Sequence, residues 1–401
     1  MMKRMLSLLL IALLLPCGGA VSASAEEEEE LLIEDVLLDE EGNEVIVDDE
    51  TGEVFVLSEA EQQILDDMEQ EEDPDEYVDP DLLELNPNLP DNVINVLLVG
   101  VDTRSNDSQE IVGRGDTEII VSVNRDTGSI KMTSILRDSY VTIPGYSNKK
   151  KINSAFQIGS NRKGPSGEPL GASGGAALAM RTINRNFQMN LQYCVAINFN
   201  GLASIIDSLG GIDIPVTRAE ARYINSYLKK NPPAYDNKAK GERVALDWDA
   251  EKKAGTQEVV DGKLTLHMDG VQAVMYARIR SLKGENDFNR TDRQRYLLDL
   301  LLQLVVRDMD VNKLLDLLDA CMPYAYTNMN IATLFDLCTT VLRSDLLSRL
   351  ETGTLIEQLR IPMDRSYSYK TVSGVSVLSY NLTKHTQAIH EFIYGTYYPA
   401  N

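Results

Sequence analysis

The stretch VINVLLVGV at residues 93–101 is almost entirely apolar. A short apolar run of this kind is typical of a strand that is buried on both faces of a sheet. Two further strand-like runs, at residues 118–124 and 130–135, flank Arg125-Asp126-Thr127-Gly128, which predicts a hairpin turn. Helical patterns alternate with strands from there to the C-terminus, and this alternation predicts a layered α/β domain.

The remaining core elements are predicted from local periodicity and capping residues. Further strands are predicted at residues 193–199, 212–216 and 276–280, with a terminal strand pair at 355–361 and 371–378. Helices are predicted over residues 172–186, 202–209, 269–275 and 287–308, over much of 311–350, and from Leu382 onward. Asn200 is the expected cap of the helix over residues 202–209, and the polar residues 225–256 are expected to form a surface loop.

The N-terminus has the pattern of an export signal. Lys3 and Arg4 precede an apolar run at residues 6–15, and small residues follow up to Ala25. The apolar run is shorter than the about 20 residues that a membrane-spanning helix needs. Residues 1–25 are therefore predicted to be a signal peptide or a signal-derived anchor, with lipidation at Cys17 as another alternative, and the rest of the chain is predicted to lie outside the cytoplasm.

The net charge of −24 is unevenly distributed along the chain. Residues 26–90 contain 28 of the 62 acidic residues and no Lys or Arg, whereas residues 91–401 contain 34 acidic and 36 basic residues. Like charges in residues 26–90 repel and extend a chain, although short apolar clusters at residues 36–38, 45–47 and 54–57 also allow three short strands of a weak β-meander. We predict an acidic spacer at 26–90 and a nearly neutral domain at 91–401 that can bind an anion.

Residues 278–294 carry a dense set of anion-binding side chains. Four arginines, two aspartates and a glutamine lie in this stretch: Arg278, Arg280, Asp287, Arg290, Asp292, Arg293 and Gln294. The planar guanidinium group donates paired hydrogen bonds to phosphate oxygens. Arg278 and Arg280 would share a face of a strand, and Arg290 and Gln294 would share a face of a helix. The pattern predicts a phosphate or pyrophosphate clamp.

Further polar residues are predicted next to strand ends. Asp102 and Arg104 follow the first strand, Asp116 precedes the second, and Arg137 follows the third. Ligands of α/β sheets bind beyond the carboxyl ends of strands, and a hard divalent cation takes carboxylate and phosphate oxygens. These residues favour a magnesium–pyrophosphate site. Any single Arg–Asp pair is more often a structural ion pair, so the prediction depends on their joint placement.

Other classes of site have little support in the sequence. The chain has three histidines, at positions 267, 385 and 390, and none lies within an arginine or carboxylate cluster, which disfavours a Ser-His-Asp site. No Cys-His spacing indicates a zinc site, and the glycine-rich residues 171–175 lack the ending of a P-loop, so we expect them to pack a helix. Cys194 is expected to be buried, while Cys321 and Cys338 can pair or remain free. The nearly neutral domain, with few aromatic residues beside basic ones, gives little support for nucleic-acid binding.

Seven segments, in this order, resemble the LytR-CpsA-Psr (LCP) family of cell-wall glycopolymer ligases. The segments are residues 95–104 (NVLLVGVDTR), 115–117 (GDT), 135–140 (ILRDSY), 151–156 (KINSAF), 198–202 (NFNGL), 207–213 (DSLGGID) and the arginine-rich residues 276–294. They cover a motif core of about residues 91–300, and the remaining C-terminal part is expected to complete the same domain.

The resemblance implies a fold and an activity. The fold would be a three-layer α/β/α sandwich with a mixed central sheet enclosing a hydrophobic tunnel for a polyprenyl chain. The activity would be transfer of an anionic glycopolymer, such as teichoic acid or capsule polysaccharide, from undecaprenyl pyrophosphate to peptidoglycan, with Mg²⁺ or Mn²⁺. The protein would work at the membrane surface of the cell envelope, with no nucleic-acid partner.

The resemblance also implies roles for residues. Asp102 and Asp116 would hold the metal. The catalytic set would be Asp116, Arg137, Arg278, Arg280 and Arg290. The pyrophosphate would be bound by Arg104, Arg137, Arg278, Arg280, Asp287, Arg290 and Gln294. Two alternative functions use the same residues: a non-catalytic binder of polyprenyl pyrophosphates that acts in wall assembly, and a lipid-linked pyrophosphatase that uses water as the acceptor.

Overall fold

The structure is a computed structural model. It describes residues 45–47, 54–56, 82–103, 111–164, 167–230, 244–255, 257–279, 282, 287–308, 324–330, 333, 337, 357–372 and 374–400. In this part of the chain the strands are β1 (Val45–Val47), β2 (Val54–Val56), β3 (Val93–Asp102), β4 (Arg114–Asn124), β5 (Ile130–Ile135), β6 (Tyr140–Thr142), β7 (Lys149–Lys151), β8 (Tyr193–Asn198), β9 (Ile212–Thr217), β10 (Lys263–Met268), β11 (Ala325–Thr327), β12 (Glu357–Ile361), β13 (Tyr367–Val372) and β14 (Val375–Tyr380).

The helices of the same part alternate with these strands. They are α1 (Ser154–Asn161), α2 (Gly171–Phe187), α3 (Phe199–Ser208), α4 (Arg218–Lys230), α5 (Trp248–Ala254), α6 (Gly270–Arg278), α7 (Asp287–Asp308) and α8 (Leu382–Tyr394). The first long strand, the β4–β5 hairpin and most of the core helices lie where the sequence predicted them.

Six strands form the central sheet in the order β11-β8-β3-β4-β5-β12. β3 pairs antiparallel with β4, and β4 pairs antiparallel with β5. β8 is parallel to β3, and β12 is parallel to β5. The sheet is therefore mixed, as predicted.

Helices cover both faces of this sheet. On one face Leu97 and Ile120 pack with Phe156 of α1, Ile183 of α2 and Ile389 of α8. On the other face the strands pack against α3, α6 and α7 through a second buried cluster that includes Val96, Ile119, Ile206, Ala277 and Leu297. Side chains alternate between the faces along each strand, so both sides of β3 and β4 must be apolar. The three-layer arrangement is confirmed.

The glycine-rich start of α2 is a helix-packing contact. A Cβ atom added to Gly174 would lie 2.4 Å from the carbonyl oxygen of Gly159 in α1, and one added to Gly159 would lie 2.3 Å from the carbonyl oxygen of Gly174. Real Cβ atoms do not approach this closely, so the two backbones meet only because both residues lack a side chain. This confirms that the small residues pack a helix.

Two local predictions, for residues 200 and 276–280, were wrong. Asn198, not Asn200, caps α3, since its side chain accepts a hydrogen bond from the Gly201 amide at 2.8 Å. Arg278 does not lie in a strand. The capping box of Asp269 and Gln272 starts α6, which continues to Arg278, and Ile279 is its C-cap. The buried residues at 276 and 277 explain this, because they extend the packed face of the helix.

The C-terminal part also differs from the prediction. β12 does not pair with the next strand but joins the edge of the central sheet, while β13 and β14 form a separate hairpin. β11 lies in a region predicted to be helical, and α4 continues to Lys230, inside the predicted loop. The positions of β11 and β12 depend on pairing with β8 and β5, which lie far away in the sequence, and a local pattern does not encode such pairing.

The chain before β3 forms a small hairpin and a contact with α2. β1 and β2 pair antiparallel, with Val45 opposite Val56. The predicted strand at residues 36–38 and residues 1–25 lie outside the described residues. Just before β3, Glu84 accepts hydrogen bonds from Arg181 at 2.7 Å and Arg185 at 2.6 Å, both on α2. The chain is thus held against α2 before it enters the sheet.

Candidate active site

Four strand ends meet at one edge of the central sheet. β3, β5 and β8 end there and β4 begins there, because β4 is antiparallel to its neighbours and β8 is parallel to β3. The pairing of β3 with β4 shifts between Gly100 and Val101, so that Gly100 faces Thr117 and Val101 faces Gly115. Asp116 is the extra residue of this bulge, and bulges redirect side chains at sheet edges. The sequence prediction placed Asp116 before the strand, whereas it lies within β4.

Asp116 is surrounded by basic and polar side chains. Arg137 Nη1 lies 3.3 Å from Oδ1 and 3.2 Å from Oδ2 of Asp116. Arg290 Nη1 lies 3.9 Å from Oδ2, and Asn153 Nδ2 lies 3.5 Å from Oδ1. Arg290 is only 2% exposed. Burying a charged guanidinium group away from water costs free energy, even next to a carboxylate. The surrounding structure must therefore hold Arg290 in this position.

A second ion pair lies at the same edge. Arg278 Nη2 is 3.6 Å from Asp102 Oδ1, and both side chains are about a quarter exposed, at 24% and 23%. The Arg278 guanidinium also lies over the ring of Phe199, 4.4 Å from the ring centre. Stacking on an aromatic ring fixes the plane of the guanidinium group while its edge stays available. This pair is therefore ordered but reachable from solvent.

The structure brings together most of the predicted residues that it describes. Asp102, Asp116, Arg137, Arg278 and Arg290 form the charged cluster. Gln294 lies one helical turn beyond Arg290 and is 8% exposed. Arg104 and Arg280 lie outside the described residues, as does the side chain of Asp287, which begins α7.

Lys151, the first residue of the KINSAF segment, forms an ion pair with Asp138. Its ammonium group lies 2.9 Å from Asp138 Oδ1, next to Arg137. Asp138 Oδ2 lies 3.8 Å from Arg137 Nε. Lys151 therefore neutralises Asp138 in the structure, and its contribution is to the loop that carries Arg137.

An apolar cavity of about 90 Å³ adjoins the charged cluster. It lies between the sheet and the helices α3, α6 and α7. Its lining includes Leu98, Val99, Ile119, Val195, Leu202, Val274, Ala277, Leu297 and Leu298, with Thr117 and Gln294 among the polar residues. Phe199 also lines the cavity, and the Arg278 guanidinium lies over its ring, so the charged and apolar surfaces are contiguous.

The described side chains provide only part of the oxygen ligands that a hard divalent cation needs. Within the described ranges no group of three or more His, Cys, Asp or Glu side chains can hold a metal. Asp102 and Asp116 supply carboxylate oxygens at one edge, and Mg²⁺ commonly uses one or two carboxylates with substrate phosphate oxygens and water. The residues present therefore fit a cation that binds together with a phosphorylated substrate.

Three residues near the cluster were missed in the sequence. Asn153 contacts Asp116, and Phe199 stacks on Arg278. Asn153 precedes α1 and Phe199 begins α3, and neither position indicates a role in binding from the sequence alone. Glu118 lies in an otherwise apolar strand and is 1% exposed. Neither of its carboxyl oxygens has a hydrogen-bond partner within the described part of the chain. Burial, and secondarily the nearby Asp116, raise the pKa of Glu118 well above its ordinary value of 4.5.

Glu118 leads to a prediction about stability and pH. Its pKa is higher in the folded than in the unfolded protein, so the contribution of Glu118 to wild-type stability falls as pH rises above 4.5. Glutamine cannot ionise. We expect the stability of Glu118→Gln, relative to wild type, to increase from pH 4 to pH 8, measured as the free energy of unfolding in urea. A difference in unfolding free energy between variant and wild type that does not change with pH would contradict a raised pKa for Glu118.

The family model of LytR_cpsA_psr matches residues 55–389. The chain belongs to the LytR_cpsA_psr family. The match includes every residue of the charged cluster and the cavity lining, so the resemblance inferred from seven segments is confirmed over most of the chain.

Named relatives support this membership. The polyisoprenyl-teichoic acid–peptidoglycan teichoic acid transferase TagU of Enterococcus faecalis is 29% identical over 226 residues, covering 56% of this chain and 58% of the relative. The protein of the same name from Oceanobacillus iheyensis is 28% identical over 263 residues, covering 61% and 66%. The chain thus spans less than two thirds of the length of these relatives.

Solved structures show the same fold. Protein gbs0355 of Streptococcus agalactiae matches with a TM-score of 0.51 at 21% identity, covering 77% of this chain and 92% of that one. Bacillus subtilis TagV matches with a TM-score of 0.50 at 20% identity, covering 78% and 100%. Among the helices described for this family member, none has the length and apolar character needed to cross a membrane.

Proposed function

We propose that this protein transfers an anionic glycopolymer from undecaprenyl pyrophosphate to peptidoglycan. The observation that carries the proposal is the contact between a charged cluster and an apolar cavity. A polyprenyl diphosphate has the same two parts, a doubly charged head and a hydrocarbon chain. The names of the relatives, which are teichoic acid transferases, support the same reaction class.

The donor would bind with its two parts in different surroundings. Arg137, Arg278 and Arg290 would hold the diphosphate, with Arg104 and Arg280 as further predicted contacts and Gln294 at the junction with the cavity. The hydrocarbon chain would enter the cavity between the sheet and α6, which we propose is part of a longer tunnel. Burial of apolar surface would contribute affinity, while the arginines would fix the register of the head group.

Transfer would form a bond between the acceptor sugar oxygen and the phosphorus that carries the glycan. The bond from that phosphorus to the bridging oxygen would break, undecaprenyl phosphate would leave, and the proton of the acceptor hydroxyl would pass to the departing phosphate or to solvent. Phosphoryl transfer depends mainly on positioning and on neutralising charge in the transition state. The guanidinium groups supply both, and Asp116 fixes Arg137 and Arg290 relative to each other.

Asp102 and Asp116 would hold Mg²⁺ or Mn²⁺ together with substrate phosphate oxygens. A bound cation would supply neutralisation of negative charge on the phosphates. The protein would act at the cell envelope, exported and associated with the membrane surface, where donor and acceptor are both present.

The proposal is tested by transfer of labelled glycan from a lipid diphosphate donor to purified peptidoglycan. We expect label in peptidoglycan with wild type and a loss of about 10²-fold or more with Arg278→Ala, because a donor to the transition state is removed. Donor binding without transfer would instead indicate a wall-assembly binder. Release of free glycan phosphate would indicate a pyrophosphatase.

A further inference from the structure

Arg293 is a buried arginine of α7 that lies between Arg290 and Gln294 in the sequence. Its side chain points in a different direction from theirs, toward α4 and the end of α6. It is 6% exposed. Its Nε donates a hydrogen bond to Glu220 Oε1 at 2.9 Å, and its Nη1 donates to the carbonyl oxygen of Ile279 at 3.3 Å. One guanidinium group therefore joins α7 to α4 and to the end of α6.

Glu220 lies in the first turn of α4 and is itself held by Thr217, the residue that precedes the helix. Its Oε2 accepts hydrogen bonds from the Thr217 amide at 2.8 Å and from Thr217 Oγ1 at 3.0 Å. Glu220 is 5% exposed. Both of its oxygens are thus in use, and the carboxylate cannot rotate without losing a hydrogen bond. The Arg293–Glu220 pair is a rigid contact and not a solvated surface pair.

The carbonyl group that Arg293 contacts belongs to the residue after Arg278. Ile279 is the C-cap of α6, and its extended ψ of 126° turns the chain out of the helix there. The same guanidinium is therefore attached to α7, which carries Arg290, and to the backbone next to Arg278. Arg278 and Arg290 come from separate helices, and Arg293 is a direct polar link between those helices.

We propose that Arg293, held by Glu220, is a positioning residue that sets the separation of Arg278 and Arg290 for the diphosphate group. The inference rests on the proposed function for the identity of that group. Arg293 does not touch the substrate in this proposal. Two arginines whose spacing is fixed before binding bind one diphosphate more tightly, because less conformational freedom is lost when the ligand binds.

The test measures binding, not only turnover. The probes are geranylgeranyl diphosphate and geranylgeraniol, which share a hydrocarbon chain and differ in the charged head. For Arg293→Met we expect the dissociation constant of the diphosphate to rise about 10-fold or more, with that of the alcohol within twofold of wild type. A merely structural defect would weaken both ligands together.

A second variant separates positioning from folding, because Arg293→Met alone leaves Glu220 charged and buried. Glu220→Gln combined with Arg293→Met removes both charges, and the new amide oxygen can still accept from the Thr217 amide. Replacing both partners of a buried ion pair with uncharged groups is often neutral for stability. We expect this double variant to unfold at a temperature close to wild type and still to bind the diphosphate about 10-fold more weakly.

A folded double variant that binds the diphosphate as wild type does would overturn the positioning role and leave the proposed function intact. Wild-type protein that prefers the diphosphate but transfers no glycan would remove the proposed function and leave the positioning role. Arg218→Ala is the matched control. It breaks an exposed ion pair of α4, in which Arg218 Nη2 lies 2.7 Å from Asp249 Oδ2, and we expect wild-type binding of both probes.

Discussion

Arg290→Met is expected to lower kcat/KM for glycopolymer transfer by about 10²- to 10³-fold, the usual effect of removing one group that stabilises transition-state charge. Arg290 is almost fully buried and lies 3.9 Å from Asp116, so its guanidinium is held in place before substrate binds. Methionine is an unbranched side chain that can adapt to the same buried space without the charge. Asp116 keeps its closer partner Arg137 at 3.2 Å. The protein should therefore stay folded.

The measurement is steady-state transfer of labelled glycan, together with thermal unfolding of the variant. Arg222→Met is a matched control, because Arg222 is exposed on α4 and its ion pair with Asp249 is long, at 3.8 Å. We expect wild-type kinetics for this control. A folded Arg290→Met variant with less than a threefold loss would remove Arg290 from the catalytic set.

Ala277→Phe is expected to abolish use of the polyprenyl donor, with a loss of about 10²-fold or more in its affinity. Ala277 lines the cavity on α6, next to Arg278, and the cavity volume is about 90 Å³. A phenyl ring placed there would occupy space that the hydrocarbon chain needs, and burial of each CH₂ group of that chain is worth about 0.8 kcal/mol. Losing a few of these groups from the site accounts for the expected effect.

A graded series tests whether volume is the cause. Ala277→Val, Ala277→Leu and Ala277→Phe should weaken binding of geranylgeranyl diphosphate progressively, while the affinity for inorganic pyrophosphate stays within about twofold of wild type. Overpacking of a core costs about 1–3 kcal/mol, so thermal unfolding is measured for each variant. Undiminished donor binding by a folded Ala277→Phe variant would show that the chain does not enter this cavity.

The central strands and the charged cluster could be predicted because their signals are local. An apolar run between turns identifies β3, and the turn at residues 125–128 identifies the β4–β5 hairpin. Asp102 ends β3 and Arg137 lies two residues beyond β5, so their common edge follows from strand direction alone. The parallel pairing of β12 with β5 joins residues more than 200 positions apart, such as Ser134 and Arg360. No local pattern contains that information.

The details of the site depend on choices that the sequence leaves open. Asn198 and Asn200 are both good caps, and only the end of β8 selects the first. An Arg-x-Arg pattern suits a strand or a helix end equally well, and the packing of α6 decides for the helix at Arg278. The bulge that redirects Asp116 leaves no residue-type signature. Glu118 is similar, because its burial results from the two layers that enclose β4.

The parallel pairing of β12 bears on any shortened version of this protein. The motif core ends near residue 300, yet the strand that covers the outer side of β5 begins at Glu357. A chain truncated at the end of the motifs would keep the charged residues but expose the backbone amides and carbonyls of β5. Open strand edges of this kind recruit other chains, so such a fragment would be prone to aggregate. The recognisable motifs and the autonomous folding unit therefore have different boundaries.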